Sequence, residues 1–318
     1  MKNIQREDIQ ILNRHSNLSE KDITEILTNN VYSSKDAWQK FLRFFLISLG
    51  IGFTVSGIIF FFAYNWAKLP KFAKLGLTEA LVIATTGLVL LPKININIRN
   101  IILTGASALV GVLFAVFGQI YQTGADAYDF FLAWTIFITL WVLVSDFAPL
   151  WLLYVALINT TLVLYSQQVV KDWDTMDLNL LLFALNTVIL IGSLLISHYK
   201  KTVSVPNWFT NILSLAVVSI STFGISVGIM DRNETSLYLL CLLSAGVYAL
   251  GILYGFKTKN SFYFAIIPLS IVIIICSLLF RIADNEFVFL LVCLFVIVSI
   301  TFIIKNLMDL QKKWKNEK

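Results

Sequence analysis

Charge is scarce in this chain. Of 318 residues, 14% are Asp, Glu, Lys or Arg and 58% are hydrophobic, with a mean hydropathy of +0.80. A soluble domain carries about 25% charged residues and about 45–50% apolar ones. A single core also stops growing near ~250–300 residues, so a soluble fold cannot bury this much apolar surface. The shortage excludes a soluble enzyme, a disordered chain and a secreted disulfide scaffold. Cysteine and histidine are scarcer still. Cys241, Cys276 and Cys293 lie inside apolar runs, where a thiolate is costly. His15 and His198 stand far apart at polar flanks, and two histidines do not make a metal centre. No metal, cofactor or catalytic residue is implied, and the chain is read as a non-enzyme. A cleavable signal peptide is also missing: the first forty residues are polar, and the first apolar run, from Phe41, is long enough to stay as an anchor.

What is present is hydrocarbon in long runs. Ten segments reach the ~20 residues needed to cross a bilayer as a helix. They cover 41–64, 72–91, 101–121, 128–145, 149–167, 178–198, 208–230, 235–256, 262–281 and 286–306. Strands of a membrane barrel would instead show ~10 residues of strict alternation. Backbone groups in lipid must be satisfied within the segment, so each run is expected to be a helix. The fold class is an all-α integral membrane protein with a short N-terminal helical segment. The expected organisation is a cytoplasmic helical hairpin over 1–40, spans one to five over 41–170, spans six to ten over 171–306 and a basic tail over 307–318. In the hairpin, Ser19 is a good N-cap for Glu20 to Leu27, with Ile23, Ile26 and Leu27 on one face, and Ser33 or Ser34 would cap the next helix.

The basic residues set an orientation. With the N-terminus inside, eighteen of the 24 Lys and Arg fall on the cytoplasmic side. The positive-inside rule therefore places both termini in the cytoplasm. The loop holding Lys68, Lys71 and Lys74 is the exception, and it is read as overridden by its two neighbours. The net charge of +5 is assigned to loops facing anionic lipid, with no nucleic acid as partner.

Polar groups inside spans are costly and mark a bundle interior or a water-filled cavity. In the chosen orientation they gather in the outer half of the first six spans. Asn65, followed by Trp66, closes span one; Glu79 lies about two turns into span two; Gln119, Tyr121 and Gln122 close span three; Asp126 and Asp129 open span four. Asn159 and Asn186 lie in the outer halves of spans five and six. The expectation is an outward-opening pocket for a small polar solute or lipid headgroup. Glu79 has two readings: a structural partner for Lys74, or a proton or cation site. The stretch from Gly118 to Asp126 reads as an ordered hairpin whose two glycines permit tight or left-handed backbone. Gly224 with Gly228, Gly251 with Gly255, and Gly111 with Ala115 are spaced for close helix packing inside the bundle.

Several of these features occur together in one family. Ala63-Tyr64-Asn65-Trp66 ends the first span; Gly118-Gln119-Ile120-Tyr121-Gln122 leads to Tyr128-Asp129-Phe130-Phe131, Trp134 and Leu150-Trp151. In this the chain resembles the bacterial membrane protein family called domain of unknown function 2157, over about the first 170 residues. The resemblance implies an integral protein of the bacterial inner membrane and supplies no activity. Binding or movement of a small solute or headgroup is the first expectation, and a scaffold or sensor working with other membrane proteins is the alternative. Two inverted five-span halves would favour transport, but the Asn-Trp and Gly-Gln-Ile-Tyr-Gln stretches have no counterpart in spans six to ten.

Overall fold

The computed structural model describes residues 9, 16, 19–32, 34–121, 124, 126–170, 172–199, 205–231, 234–282 and 286–316. Every regular element among them is an α-helix: α1 Glu20–Asn30, α2 Lys35–Asn65, α3 Lys71–Val89, α4 Ile96–Tyr121, α5 Ala127–Val144, α6 Ala148–Gln168, α7 Thr175–Tyr199, α8 Asn207–Asp231, α9 Glu234–Thr258, α10 Ser261–Ile282 and α11 Glu286–Asn316. The last ten are each long and apolar enough to cross a membrane. All ten expected spans are therefore present as helices. Of the expected hairpin, residues 1–18 lie outside the described residues apart from Ser16 and Ile9, the latter helical and buried.

Local chemistry explains the starts. Ser19 and Asp22 form a capping box: the Ser19 hydroxyl donates to Asp22 Oδ2 at 2.7 Å, the Ser19 N–H donates to the same oxygen at 3.1 Å, and the Asp22 N–H returns to Ser19 Oγ at 3.3 Å. Ile23, Ile26 and Leu27 are the half-buried face of α1, as their spacing predicts. Of the two candidate caps for α2, Ser34 accepts from the Ala37 N–H at 3.2 Å, while Ser33 lies outside the described residues. Gly124 takes φ 65°, the left-handed backbone its position called for.

The chain divides into two compact units, Met1–Tyr121 and Gln122–Lys318. In the first, α4 is central and packs against both α2 and α3. Its buried run includes Gly105, Ala106 and Ser107. A Cβ on Gly105 would lie 2.6 Å from Ile51 Cγ2, so glycine is what lets α2 approach α4.

In the second unit α8 is the hub, packing on α6, α7, α9 and α10. A buried core of Met176, Phe183, Leu213, Val217, Ile225 and Leu240 surrounds it. Both glycine pairs there serve internal packing. A Cβ on Gly224 would sit 2.7 Å from Leu240 Cδ2, and one on Gly228 would sit 2.9 Å from both Leu237 and Met176. Gly251 and Gly255 admit Ile267 and Phe264 from α10 at 2.9 and 2.8 Å. The hub is also cross-linked by hydroxyls: Ser221 pairs with Tyr248 at 2.7 Å, Tyr248 with Ser270 at 2.6 Å and Thr222 with Ser270 at 2.6 Å. This buried chain ties α8, α9 and α10 together at mid-helix, and its members are too small or too common to stand out in sequence.

Candidate functional site

The expected pocket residues divide between the two units. In the first unit, Asn65 is half-buried and its amide donates to the Phe61 carbonyl at 3.0 Å. Trp66 caps α2 and lies under Lys74, whose Nζ is 3.8 Å from the ring centroid. Glu79 is exposed on α3, and no ion pair joins it to Lys74 among the described residues. The reason is rotation: five residues turn a helix by about 140°, so the two side chains leave on different faces. Lys74 lies against Trp66 instead. Gln119 and Tyr121 are exposed at the end of α4, where Tyr121 packs on Phe117 with centroids 4.6 Å apart. Gln122 lies outside the described residues.

In the second unit, Asp126 occupies the N-cap of α5 without a side-chain cap bond. The job falls to Gln168, whose Oε1 accepts from the Tyr128 N–H at 2.9 Å. Asp129, half-buried, lies in the same first turn. Tyr128, Tyr165 and Trp173 follow one another in edge-to-face contacts of 5.4 and 6.3 Å, a rim of amphipathic rings suited to the headgroup level.

Asn159 and Asn186 are brought together, but onto each other. Asn186 donates to Asn159 Oδ1 at 2.6 Å and Asn159 donates to Asn186 Oδ1 at 3.2 Å. Their remaining amide protons go to the Leu182 and Val155 carbonyls, both at 2.8 Å. All four donors are used, so the pair is a clamp between α6 and α7.

A cavity of about 720 Å³ lies at the rim end of these helices, where α6 ends, α7 begins and α8 passes behind. Its polar lining comes from Ser166, Gln167, Asp174, Thr175, Asn179 and Ser219. Further along the helices the wall becomes mainly apolar, with Leu182, Ile220 and Phe223 around Ser219. Asp174 is the one charged residue in the lining, and its Oδ1 accepts from the Thr175 N–H at 2.7 Å. Asn179 is buried and anchored by a 2.7 Å bond to the Thr175 carbonyl. None of the described residues expected from sequence lines this cavity. The missed signal is helical spacing: Thr175, Leu178, Asn179 and Leu182 fall at i, i+3, i+4 and i+7, one face of α7, and Val163, Ser166 and Gln167 form the matching face of α6.

Ten long apolar helices define a multi-pass helical membrane protein. Residues 12–151 of the chain match the family model described as "Predicted membrane protein (DUF2157)", the family that the Asn-Trp and Gly-Gln-Ile-Tyr-Gln stretches resemble. No curated protein and no solved structure matches the chain. The family match ends at Trp151, so the groove lies wholly in the part beyond it.

Proposed function

We propose that this is a non-enzymatic protein of the bacterial cytoplasmic membrane, with both termini inside, that binds a small polar solute or lipid headgroup in the groove between α6, α7 and α8. The observation that carries the reading is the graded lining. Carboxylate, amide and hydroxyl groups come chiefly from the end of α6 and the start of α7, and the apolar groups Leu182, Ile220 and Phe223 stand beyond them, with Ser219 among them. That is the order in which an amphiphile presents its parts to a membrane protein. Asp174 is the one charged residue of the lining among the described residues, and the groove suits a neutral or cationic polar group rather than an anion.

The test is a thermal-shift screen of the purified chain against neutral and cationic solutes and short-chain lipids. A ligand that raises the melting temperature should lose its effect in Gln167→Ala and in Ser219→Leu, both at exposed groove positions. If every stabilising ligand acts equally on both variants, the groove is not the site. The scaffold or sensor alternative rests on α1, which carries a half-buried apolar stripe outside the spans. It requires that a chain lacking residues 1–30 keep ligand stabilisation but lose capture of a membrane partner.

A further inference from the structure

The groove between α6, α7 and α8 presents oxygen acceptors at its buried positions. Asn179 is 5% exposed and lines the cavity. The Thr175 carbonyl can only accept, so it takes an amide N–H of Asn179, at 2.7 Å. That fixes the amide and leaves the Asn179 Oδ1 without a partner among the described residues. Ser166, buried near the end of α6, spends its hydroxyl proton on the Val163 carbonyl at 2.8 Å. Its oxygen is then left with lone pairs only, and it lines the same cavity. Asp174 adds a carboxylate, and Trp173 and Phe223 add aromatic surface.

These groups discriminate between ligand chemistries. The carboxylate opposes an anion, and aromatic faces attract a cation. A buried acceptor left unmet is costly, so Asn179 Oδ1 and Ser166 Oγ call for N–H or O–H groups on the ligand. A neutral hydroxyl would meet those oxygens and leave the carboxylate unmatched. A quaternary ammonium would match the carboxylate and bring no N–H. A protonated primary amine does both, carrying three N–H donors on one positive charge.

We propose that the groove is a site for a primary ammonium group, with Asp174 as its counter-charge and Asn179 Oδ1 and Ser166 Oγ as its acceptors. This rests on the groove being the ligand site and goes further by naming the ligand's charge and its donors. Two sources carry this chemistry, the ethanolamine headgroup of a membrane lipid and a free amine solute.

The experiment titrates the full-length protein in neutral detergent with short-chain phosphatidylethanolamine, short-chain phosphatidylcholine, ethanolamine and choline, reading thermal stability. The ethanolamine-bearing probe should act at about tenfold lower concentration than its trimethylated counterpart, which has no N–H to give. Stabilisation by phosphatidylethanolamine without free ethanolamine assigns the site to lipid; an equal effect of free ethanolamine assigns it to the solute. Asp174→Asn keeps an oxygen for the Thr175 N–H and removes the charge, and should weaken the ethanolamine-bearing probe about threefold to fivefold. Asn179→Leu should abolish the preference for ethanolamine over choline. Asp174 is exposed, so its variant reports even if Asn179→Leu fails to fold. Equal potency of the two headgroups, or an unchanged midpoint in Asp174→Asn, overturns the proposal. If those ligands still lose their effect in Gln167→Ala and Ser219→Leu, the groove stands as the site and only the ammonium assignment falls. If no ligand responds to the groove variants, both fall.

Discussion

Asn159 and Asn186 show what a polar side chain inside a span can be for. Each amide alone would mark a solvated pocket, yet each completes the other. Changing either one to Leu orphans one amide proton and the carbonyl oxygen of its partner, whereas changing both removes the problem. A double-mutant cycle on thermal unfolding in detergent should therefore give a coupling of about 0.6–1.7 kcal/mol, with the double variant more stable than additivity predicts. Additive losses would show that the bonds are not formed. The capping box at Ser19 makes a second prediction at this scale. Bonds from the Ser19 hydroxyl and N–H hold the Asp22 carboxyl below its ordinary value of 3.8. A depressed carboxyl contributes stability that is present above its unfolded pKa and lost as pH falls through the lower folded one. Helix α1 should thus show full hydrogen-exchange protection at neutral pH and lose the cap's share only below pH 3.8. Ser19→Ala should weaken that acid dependence, the backbone N–H bond remaining, together with part of the protection.

At the scale of the helix, small residues decide how close neighbours come. A methyl added at Gly224 meets Leu240 at 2.7 Å and Asn179 Cβ at 3.1 Å, and both side chains are buried with little freedom to yield. Gly224→Ala should lower stability by about 1–3 kcal/mol, seen as a reduced melting temperature. Gly246, with nothing within 4 Å of an added Cβ, is the control. Its change to Ala should leave the melting temperature unchanged or raise it. This is also the scale at which sequence reading succeeds and then stops. Span-length runs identified ten helices because a bilayer demands length and continuity, and Ser19 and Ser34 announced helix starts because orphan N–H groups demand an acceptor. Rotation about the helix axis was harder. Depth in the membrane grouped Glu79 with Lys74 and Asn159 with a cavity, but the angle around the helix decided their neighbours. Asn179 is legible only through its face-mates Thr175 and Leu182, and that face means nothing until α6 and α8 are placed beside it.

For the whole molecule, an even number of crossings returns the chain to the side on which it started. With eighteen of 24 basic residues on one side, fluorescent fusions at both termini should be bright in the cytoplasm. A phosphatase fusion in the connection after Tyr121 should be active outside, and the opposite pattern would invert the topology. The sequence could not show where the chain divides. The boundary at Tyr121 separates two hydrophobic stretches of similar composition, and only packing partners tell them apart. One connection beyond that boundary bears on how the protein is made. Only residues 145–147 separate α5 from α6, and the Trp151 indole ties back across them to the Ser145 carbonyl at 3.0 Å. So short a tether leaves no stretch that can wait in water while the next helix emerges from the ribosome. The two helices must leave the translocon as one hairpin. A chain truncated after Val144 would leave α5 without its partner, whereas one truncated past Gln168 would carry the pair.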